Sequence, residues 1–365
     1  MDYSAKKVGN YILILLLPPF SSNNISLNRY LLNFIENIQL NQAIILLIER
    51  MIGMKKLSAQ SELYLSHFNA GPKMYEMEPA ELKAMLAQMP ETEIELPQIS
   101  KKEDQQIKVS DGSTIRVRIY TPEGEGPFPI IVYYHGGGWV LGAVEKFDTG
   151  CIHLANKTKR IVVSVDYRLA PEYKFPVPLQ DAYDAFKWVS ENAFSFNGEA
   201  NDIVVAGDSA GGNLATVTSI WAKEKNGPAI SAQLLIYPVT NLDFTTPSYN
   251  EFEEGFMLDR DLMKWFGKHY VQDISQFKDP SIAPLLQDDL SNLPPALIVT
   301  AEFDVLRDEG QAYAKRLTEA GNVVKEVFKE GLIHGYFSNA PIFTLETEET
   351  VTEIAEFLET IKQNV

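Results

Sequence analysis

Apolar and polar residues follow two rhythms along this chain. Short runs rich in β-branched and aromatic residues recur after residue 100, and they are typical of strands buried on both faces. Longer segments between them repeat apolar residues every three or four positions, as one face of a helix does. Strands are predicted at 130–134, 161–165, 203–206, 232–237, 296–301 and 323–328, and helices at 147–159, 178–193, 210–225, 308–320 and 345–361. This alternation predicts an α/β fold with a mostly parallel central sheet and helices on both faces.

Three regions depart from that alternation. Residues 56–89 contain two helical patterns, the second with Pro79 in its first turn. The stretch "QQIKVSDGSTIRVRIYTP" predicts a hairpin that turns at Asp111 and Gly112. Residues 241–278 are rich in aromatic and acidic side chains and interrupt the strand–helix order, so we expect them to form an excursion from the sheet.

A glycine-bounded serine follows one of the predicted strands. The segment Gly207-Asp208-Ser209-Ala210-Gly211 has the pattern G-x-S-x-G and lies between the strand "DIVVAG" and a helix. That context is the one required of a nucleophile elbow, whose turn is so sharp that side chains two residues before and after the serine would collide. We therefore expect Ser209 to stand above the sheet, at the positive end of the following helix.

A serine hydroxyl needs a base and an orienting acid, which in this architecture follow in the order serine, acid, histidine. Asp304 comes directly after the strand "ALIVTAEF", whereas Asp308 fits the N-cap of the next helix. His334 follows the last predicted strand. The remaining histidines are placed differently: His67 and His153 in helices, His269 in the excursion and His135 before three glycines. The pattern therefore indicates a Ser209–Asp304–His334 triad.

The stretch "HGGGW" follows the strand at 130–134 and has three consecutive residues without a side chain, Gly136, Gly137 and Gly138. Three consecutive glycines cost backbone entropy, so they need a reason. Acyl transfer passes through a negatively charged oxygen that backbone N–H groups stabilise, and an HGGG-type loop supplies such groups. Ala210, directly after the serine, offers another N–H. The glycines are therefore interpreted as part of an oxyanion hole.

Together the motifs "HGGGW", "DYRLAPEYKFPVPLQDAYDA", "GDSAGGNLA", "LPPALIVTAEFDVLRDEG" and "HGY" resemble the hormone-sensitive-lipase-like carboxylesterases, the bacterial family IV lipolytic enzymes. The resemblance runs from about residue 55 to the C-terminus and implies the α/β-hydrolase fold with a helical cap. It implies Ser209, Asp304 and His334 as the triad and Gly136, Gly137 and Ala210 as the oxyanion hole. Four residues adjoining these motifs are assigned to the substrate pocket: Trp139, Asp208, Val305 and Ile333.

The domain organisation expected on this basis has three parts. Residues 101–365 form the catalytic domain, from which the cap excursion at 241–278 departs, and residues 54–100 supply the N-terminal cap helices. Residues 1–53 are rich in Ile, Leu and Asn and match nothing in the family pattern, so they are expected to be an extension without an assigned role.

The amino-acid composition limits which binding partners and which cellular compartment are expected for the protein. A net charge of −17 over 365 residues argues against nucleic acid or an anionic membrane surface. No apolar run approaches the roughly 20 residues that span a bilayer. The single cysteine, Cys151, suits a reducing compartment and is expected to be an inert buried thiol. We expect a cytoplasmic protein; a secreted or tethered form through the N-terminal extension is the alternative.

The sequence therefore predicts a serine carboxylesterase for short-to-medium acyl esters, acting on a small-molecule ester and water with no metal or organic cofactor. An amide or lactone hydrolase using the same triad is the alternative, followed by a non-catalytic receptor for a small ligand. The resemblance also implies a homodimer through the last strand, 323–328. The charged residues Lys325, Glu326 and Lys329 would instead suit protection of a free sheet edge.

Overall fold

A twisted sheet of eight strands forms the centre of the molecule. The computed structural model describes residues 55–88, 92 and 94–363. The strands are β1 (Lys101–Lys108), β2 (Thr114–Thr121), β3 (Phe128–Tyr134), β4 (Ile161–Asp166), β5 (Gly198–Asp208), β6 (Ala232–Ile236), β7 (Ala296–Phe303) and β8 (Val324–Ile333). The predicted extension at 1–53 lies outside the described residues.

The helices alternate with the strands from β3 onward, as predicted. They are α1 (Ala59–Phe68), α2 (Pro79–Ala87), α3 (Asp148–Thr158), α4 (Val177–Asn192), α5 (Ala210–Glu224), α6 (Pro247–Glu251), α7 (Arg260–Tyr270), α8 (Arg307–Glu319) and α9 (Thr344–Gln363). The excursion predicted at 241–278 is observed as α6, α7 and a short 3₁₀ turn. No helix of the described residues combines the length and the apolar character needed to cross a membrane.

The strand order is β1-β2-β4-β3-β5-β6-β7-β8. The hairpin strands β1 and β2 pair antiparallel, whereas β3 to β8 are mutually parallel. The strands β3, β4 and β6, and β5 from Ile203 onward, are almost fully buried because helices cover both of their faces. Parallel strands end at the same edge, so the segments that leave β3, β5, β7 and β8 are brought together there.

Two strands are longer than the sequence pattern predicts. β5 begins at Gly198, which pairs with Phe128 across an irregularity in register. β8 continues to Ile333, which pairs with Phe303 after a register shift. Gly331, with a φ of +73°, lies at this irregularity, where a glycine accommodates a backbone that other residues avoid. The extension of β8 places His334 directly at the end of the strand.

The two N-terminal helices are attached to the rest of the molecule by specific contacts. Ser58 caps α1 by accepting from the N–H of Ser61, and the Ser61 hydroxyl donates to the carbonyl of Gly331. On α2, Lys83 forms an ion pair with Glu172 at 2.7 Å. Leu82 is fully buried in the core. The helices therefore cover apolar surface rather than extending into solvent.

Leu82→Ala should test that attachment. Removing a fully buried leucine side chain costs about 2–5 kcal/mol of unfolding free energy, because both the apolar transfer and the packing are lost. The matched control is Leu63→Ala on α1, whose side chain is 55% exposed and should change stability little. Denaturant unfolding of both variants measures the difference; equal losses would contradict the docking of α2.

Candidate active site

Ser209 occupies the turn between β5 and α5. Its backbone has φ 55° and ψ −119°, a strained conformation for a residue with a side chain. Its N–H donates to the carbonyl of Ile236 at 2.9 Å, which fixes the turn to β6. A Cβ at Gly211 would overlap the carbonyl of Tyr134, and one at Gly207 would overlap the backbone of Gly211. These overlaps explain why the motif needs both glycines.

The three residues predicted as a triad meet at the carboxyl edge of the sheet. His334 Nε2 lies 2.9 Å from Ser209 Oγ, and His334 Nδ1 lies 2.7 Å from Asp304 Oδ2. A carboxylate can only accept, so Nδ1 carries the proton and Nε2 accepts from the serine hydroxyl. All three side chains are buried. The arrangement can transfer a proton from the serine to the histidine.

Each carboxylate oxygen of Asp304 has its own partner. Oδ2 faces His334, and Oδ1 accepts from the N–H of Leu306 at 2.9 Å. Asp308 does not cap α8, so that expectation was wrong: the N-cap is Leu306, and Asp308 Oδ2 accepts from the N–H of Ser248 in the excursion. The ring of Tyr237 packs against the imidazole, with centroids 4.6 Å apart. Sequence reasoning missed Tyr237 because no motif marks it.

The glycine loop after β3 carries one correction. The N–H of Gly136 donates to Asp208 Oδ1 at 2.8 Å, so it is already engaged and does not serve as a free oxyanion donor as expected. Among the described residues, the N–H groups of Gly137, Gly138 and Ala210 have no protein acceptor. Gly137 and Gly138 have φ of +110° and +60°, which turn the following backbone in a way that side chains disfavour. The register of the free donors is thus one residue later than predicted.

The residues assigned to the substrate pocket divide into two pairs. Trp139 is fully buried and stacks face to face on Tyr270 at 4.3 Å, so it supports the loop instead of facing an acyl chain as predicted. Asp208 is also fully buried, and it accepts a hydrogen bond from Gly136 of the glycine loop, so it does not line the pocket as predicted. Val305 and Ile333 are buried beside Asp304 and His334, and their contact with substrate stays a prediction.

Two apolar residues of the excursion cover the site. The ring of Phe266 on α7 fills the space that a side chain on Gly138 would take. Met257 reaches to 2.8 Å from the position of a Cβ on Gly335, next to His334. Met257 also lines a cavity of about 20 Å³ together with Phe68, Tyr75 and Leu262. Sequence reasoning missed Phe266 and Met257 because their only signal is that they lie in the aromatic-rich excursion.

Burial dominates the electrostatics of the surrounding groups. It raises the pKa of Asp208 to about 6, although hydrogen bonds from Tyr133 and from the Gly136 backbone oppose the shift. Burial also raises the pKa of the Cys151 thiol, consistent with the inert cysteine that was expected. His135 stacks between Tyr167 and Phe147, and burial lowers its pKa, so this histidine supports the loop as a neutral ring.

The chain is similar to known proteins in both sequence and structure. Residues 131–338 match a family model described as the alpha/beta hydrolase fold. Carboxylesterase NlhH of Mycobacterium tuberculosis is 42% identical over 246 residues, which are 66% of this chain and 77% of that protein. The solved structure of an esterase from Rhizomucor miehei is 37% identical, with a TM-score of 0.80 over 85% of this chain and 98% of that one. A hyperthermophilic esterase from Pyrobaculum calidifontis is 40% identical, with a TM-score of 0.76 over 84% and 99%.

The raised pKa of Asp208 predicts a pH-dependent stability difference between the protein and Asp208→Asn. The native state takes up a proton near pH 6, whereas the unfolded chain does so only near the ordinary value of 3.8. Protonation therefore relieves the cost of the buried charge as pH falls. From pH 7.5 to 4.5, the protein should gain about 2 kcal/mol of unfolding free energy relative to the variant.

Denaturant unfolding of both proteins at several pH values measures this difference. Taking the difference removes titrations that the two proteins share. The titratable groups facing Asp208 are Tyr133 on β3, Cys151 on α3, Tyr167 after β4, Tyr237 after β6 and His334 after β8. A difference that stays constant across this pH range would contradict the raised pKa.

Proposed function

Because the chain belongs to the α/β-hydrolase fold family, and within it to the hormone-sensitive-lipase-like carboxylesterases, we propose that it is a serine carboxylesterase acting on small acyl esters through Ser209, His334 and Asp304. The observation that carries the proposal is the continuous hydrogen-bond chain from Ser209 Oγ through the imidazole to Asp304. The esterase and carboxylesterase names of its relatives support the same reaction class.

In the proposed reaction Ser209 Oγ attacks the ester carbonyl while His334 Nε2 takes the hydroxyl proton. Asp304 holds the imidazole in the required tautomer and stabilises the cation that forms. His334 then delivers the proton to the leaving alcohol, which leaves an acyl-serine. Water, activated by the same histidine, attacks the acyl group and releases the acid. The exposed fraction of Ser209 is only 7%, which favours a reaction shielded from bulk water.

The negative oxygen of the tetrahedral intermediate requires aimed donors, and we propose the N–H groups of Gly137, Gly138 and Ala210. Their support is the absence of a protein acceptor for any of the three among the described residues, together with the engagement of Gly136 by Asp208. Ala210 also begins α5, so the positive end of that helix faces the same oxygen.

The cap is proposed to consist of the 54–100 segment and the 241–278 excursion. The supporting contacts are Phe266 against Gly138 in the glycine loop and Met257 against Gly335, the residue after His334. Lys73 pairs with Glu254 at 2.8 Å and Asn69 donates to the carbonyl of Gly255, so the two cap segments are joined to each other. Such a cover limits the size of the acyl group that fits.

Two other functions remain as alternatives within the same site. An amide or lactone hydrolase would use the same triad and would differ in the leaving group. A small-ligand receptor would need no base, and the 2.9 Å contact of His334 with Ser209 favours catalysis. Release of one alcohol equivalent per chain in a burst separates an enzyme from a receptor.

For assembly, we propose a homodimer through β8. This strand lies at the edge of the sheet, and Phe328 on it is 46% exposed. Lys329, which was considered as an edge-protecting charge, is 8% exposed and pairs with Glu353 on α9 at 2.5 Å. Lys329 therefore does not guard the edge, and the alternative of edge protection rests on Lys325 and Glu326 alone.

Ser209→Ala should abolish esterase activity while leaving the fold intact. Removal of the nucleophile costs several orders of magnitude in kcat, about 10⁶-fold in the best-studied serine hydrolases. Hydrolysis of p-nitrophenyl butyrate and labelling by a fluorophosphonate measure the effect. Ser195→Ala, an exposed serine in another part of the chain, is the matched control and should remain active and labelled. An active Ser209→Ala protein, or label on another residue, would contradict the assignment.

Acyl chains of about two to eight carbons should give the highest rates, because a closed pocket gains roughly 0.8 kcal/mol per buried methylene only until it is full. A series of p-nitrophenyl esters from acetate to palmitate measures the optimum. Phe266→Ala should move the optimum toward longer chains by opening the cover above Gly138. Phe194→Ala, at a side chain that is 95% exposed, is the control. A maximum at palmitate in the unmodified protein would indicate a lipase.

A further inference from the structure

The carboxylate of Asp208 connects two strand ends that the reaction needs in register. Asp208 is the last residue of β5 and directly precedes Ser209. Its Oδ1 accepts from the N–H of Gly136, beyond the end of β3, at 2.8 Å and from the hydroxyl of Tyr133 at 2.7 Å. The two strands are neighbours, with Tyr134 paired to Gly207. One fully buried oxygen thus holds the glycine loop against the nucleophile elbow.

The loop needs such an anchor because glycines do not hold a conformation by themselves. Gly137 and Gly138 both have positive φ, and glycine has the largest backbone freedom to lose. The other contacts hold carbonyl groups: the N–H of Leu141 donates to the carbonyl of Gly137, and Tyr167 donates to that of His135. Only the Gly136 N–H, among the described residues of the loop, is held from the nucleophile side.

A purely structural role explains this arrangement less well. A buried carboxylate is costly: burial raises the pKa of Asp208 to about 6, and its Oδ2 accepts no hydrogen bond of ordinary length from the described residues. A side chain on Gly136 would run into the same carboxylate, so the two groups approach as closely as the chain permits. Buried polar groups whose hydrogen-bonding capacity is not fully satisfied occur where geometry matters for function.

We propose that Asp208 is a positioning residue: by holding the Gly136 N–H and the Tyr133 hydroxyl on one oxygen, it aims the following N–H groups, those of Gly137 and Gly138, at the oxygen that forms when Ser209 attacks. This inference rests on the proposed esterase function. It makes Asp208 part of the transition-state geometry without any contact between Asp208 and the substrate. Its loss should lower kcat, because the donors act on the intermediate, and leave KM nearly unchanged.

Four variants separate this role from simple stabilisation. Asp208→Ala removes the acceptor. Asp208→Asn keeps an acceptor oxygen without the charge, and Tyr133→Phe removes one of the two donors to Oδ1. The control is Asp184→Ala, because Asp184 is also a buried carboxylate that accepts a backbone N–H, from Ser110 at 2.8 Å, but it lies on α4 beside the β1–β2 turn.

Steady-state kinetics on p-nitrophenyl butyrate and inhibition by a trifluoromethyl ketone, which forms an oxyanion on the enzyme, are measured for each folded variant. For Asp208→Ala we expect kcat to fall about 100-fold, with a comparable loss of inhibitor affinity and KM within about threefold, as for a misplaced oxyanion donor. Asp208→Asn should recover about tenfold of that loss, and Tyr133→Phe should lower kcat about threefold to tenfold. Asp184→Ala should lose thermal stability and keep kcat.

The proposal would be overturned by an Asp208→Ala protein with kcat within about threefold of the unmodified enzyme, or by a loss confined to KM. Asp208→Asn as impaired as Asp208→Ala would also overturn it, because the acceptor would then not matter. If Asp208→Ala does not fold, an unchanged kcat in Tyr133→Phe decides against the proposal. Failure of the esterase assignment itself is distinguishable, since the unmodified protein would then hydrolyse no ester.

Discussion

The close contact between the end of β3 and the turn after β5 is the constraint on which the rest of the site depends. The backbone at Gly211 lies against the carbonyl of Tyr134 with no room for a Cβ, and Gly207 faces Gly211 in the same way. This contact lets the chain leave β5 in the strained conformation of Ser209 and enter α5 at once. The serine hydroxyl is thereby raised to the sheet edge, where the loops after β3, β7 and β8 meet it.

Buried carboxylates secure the segments that leave these strands. Asp208 joins β5 to the glycine loop, and Asp304 holds both His334 and its own loop through separate oxygens. Glu309 on α8 accepts from the N–H groups of Thr240 and Asn241, at the start of the excursion, and burial raises its pKa well above the ordinary range. Each carboxylate loses its contacts with water, and it accepts hydrogen bonds from backbone N–H groups that lie outside the hydrogen-bond ladders of the sheet.

The cap and the hydrolase body divide the work of the proposed reaction. The body supplies nucleophile, base and oxyanion donors from segments attached to the rigid sheet. The cap supplies apolar side chains, Met257 and Phe266, which contact glycines next to His334 and in the oxyanion loop. Those glycines serve two purposes, because the absence of a side chain both frees the backbone and makes room for the cover. A rigid body under an apolar cover that can vary in sequence allows one fold to serve many different functions.

The sequence by itself determined the fold class, the order of strands and helices from 130 onward, and the residues Ser209, Asp304 and His334. Local signals are sufficient for these: periodicity predicts the elements, and parallel strands must end at one edge, so residues after strand ends converge there. Only the tertiary structure decided which glycine N–H groups are free, that Trp139 packs on Tyr270 and Asp208 on the glycine loop, and how far β5 and β8 extend. These depend on contacts between residues distant in sequence, such as Gly136 with Asp208 and Trp139 with Tyr270, which no local pattern encodes.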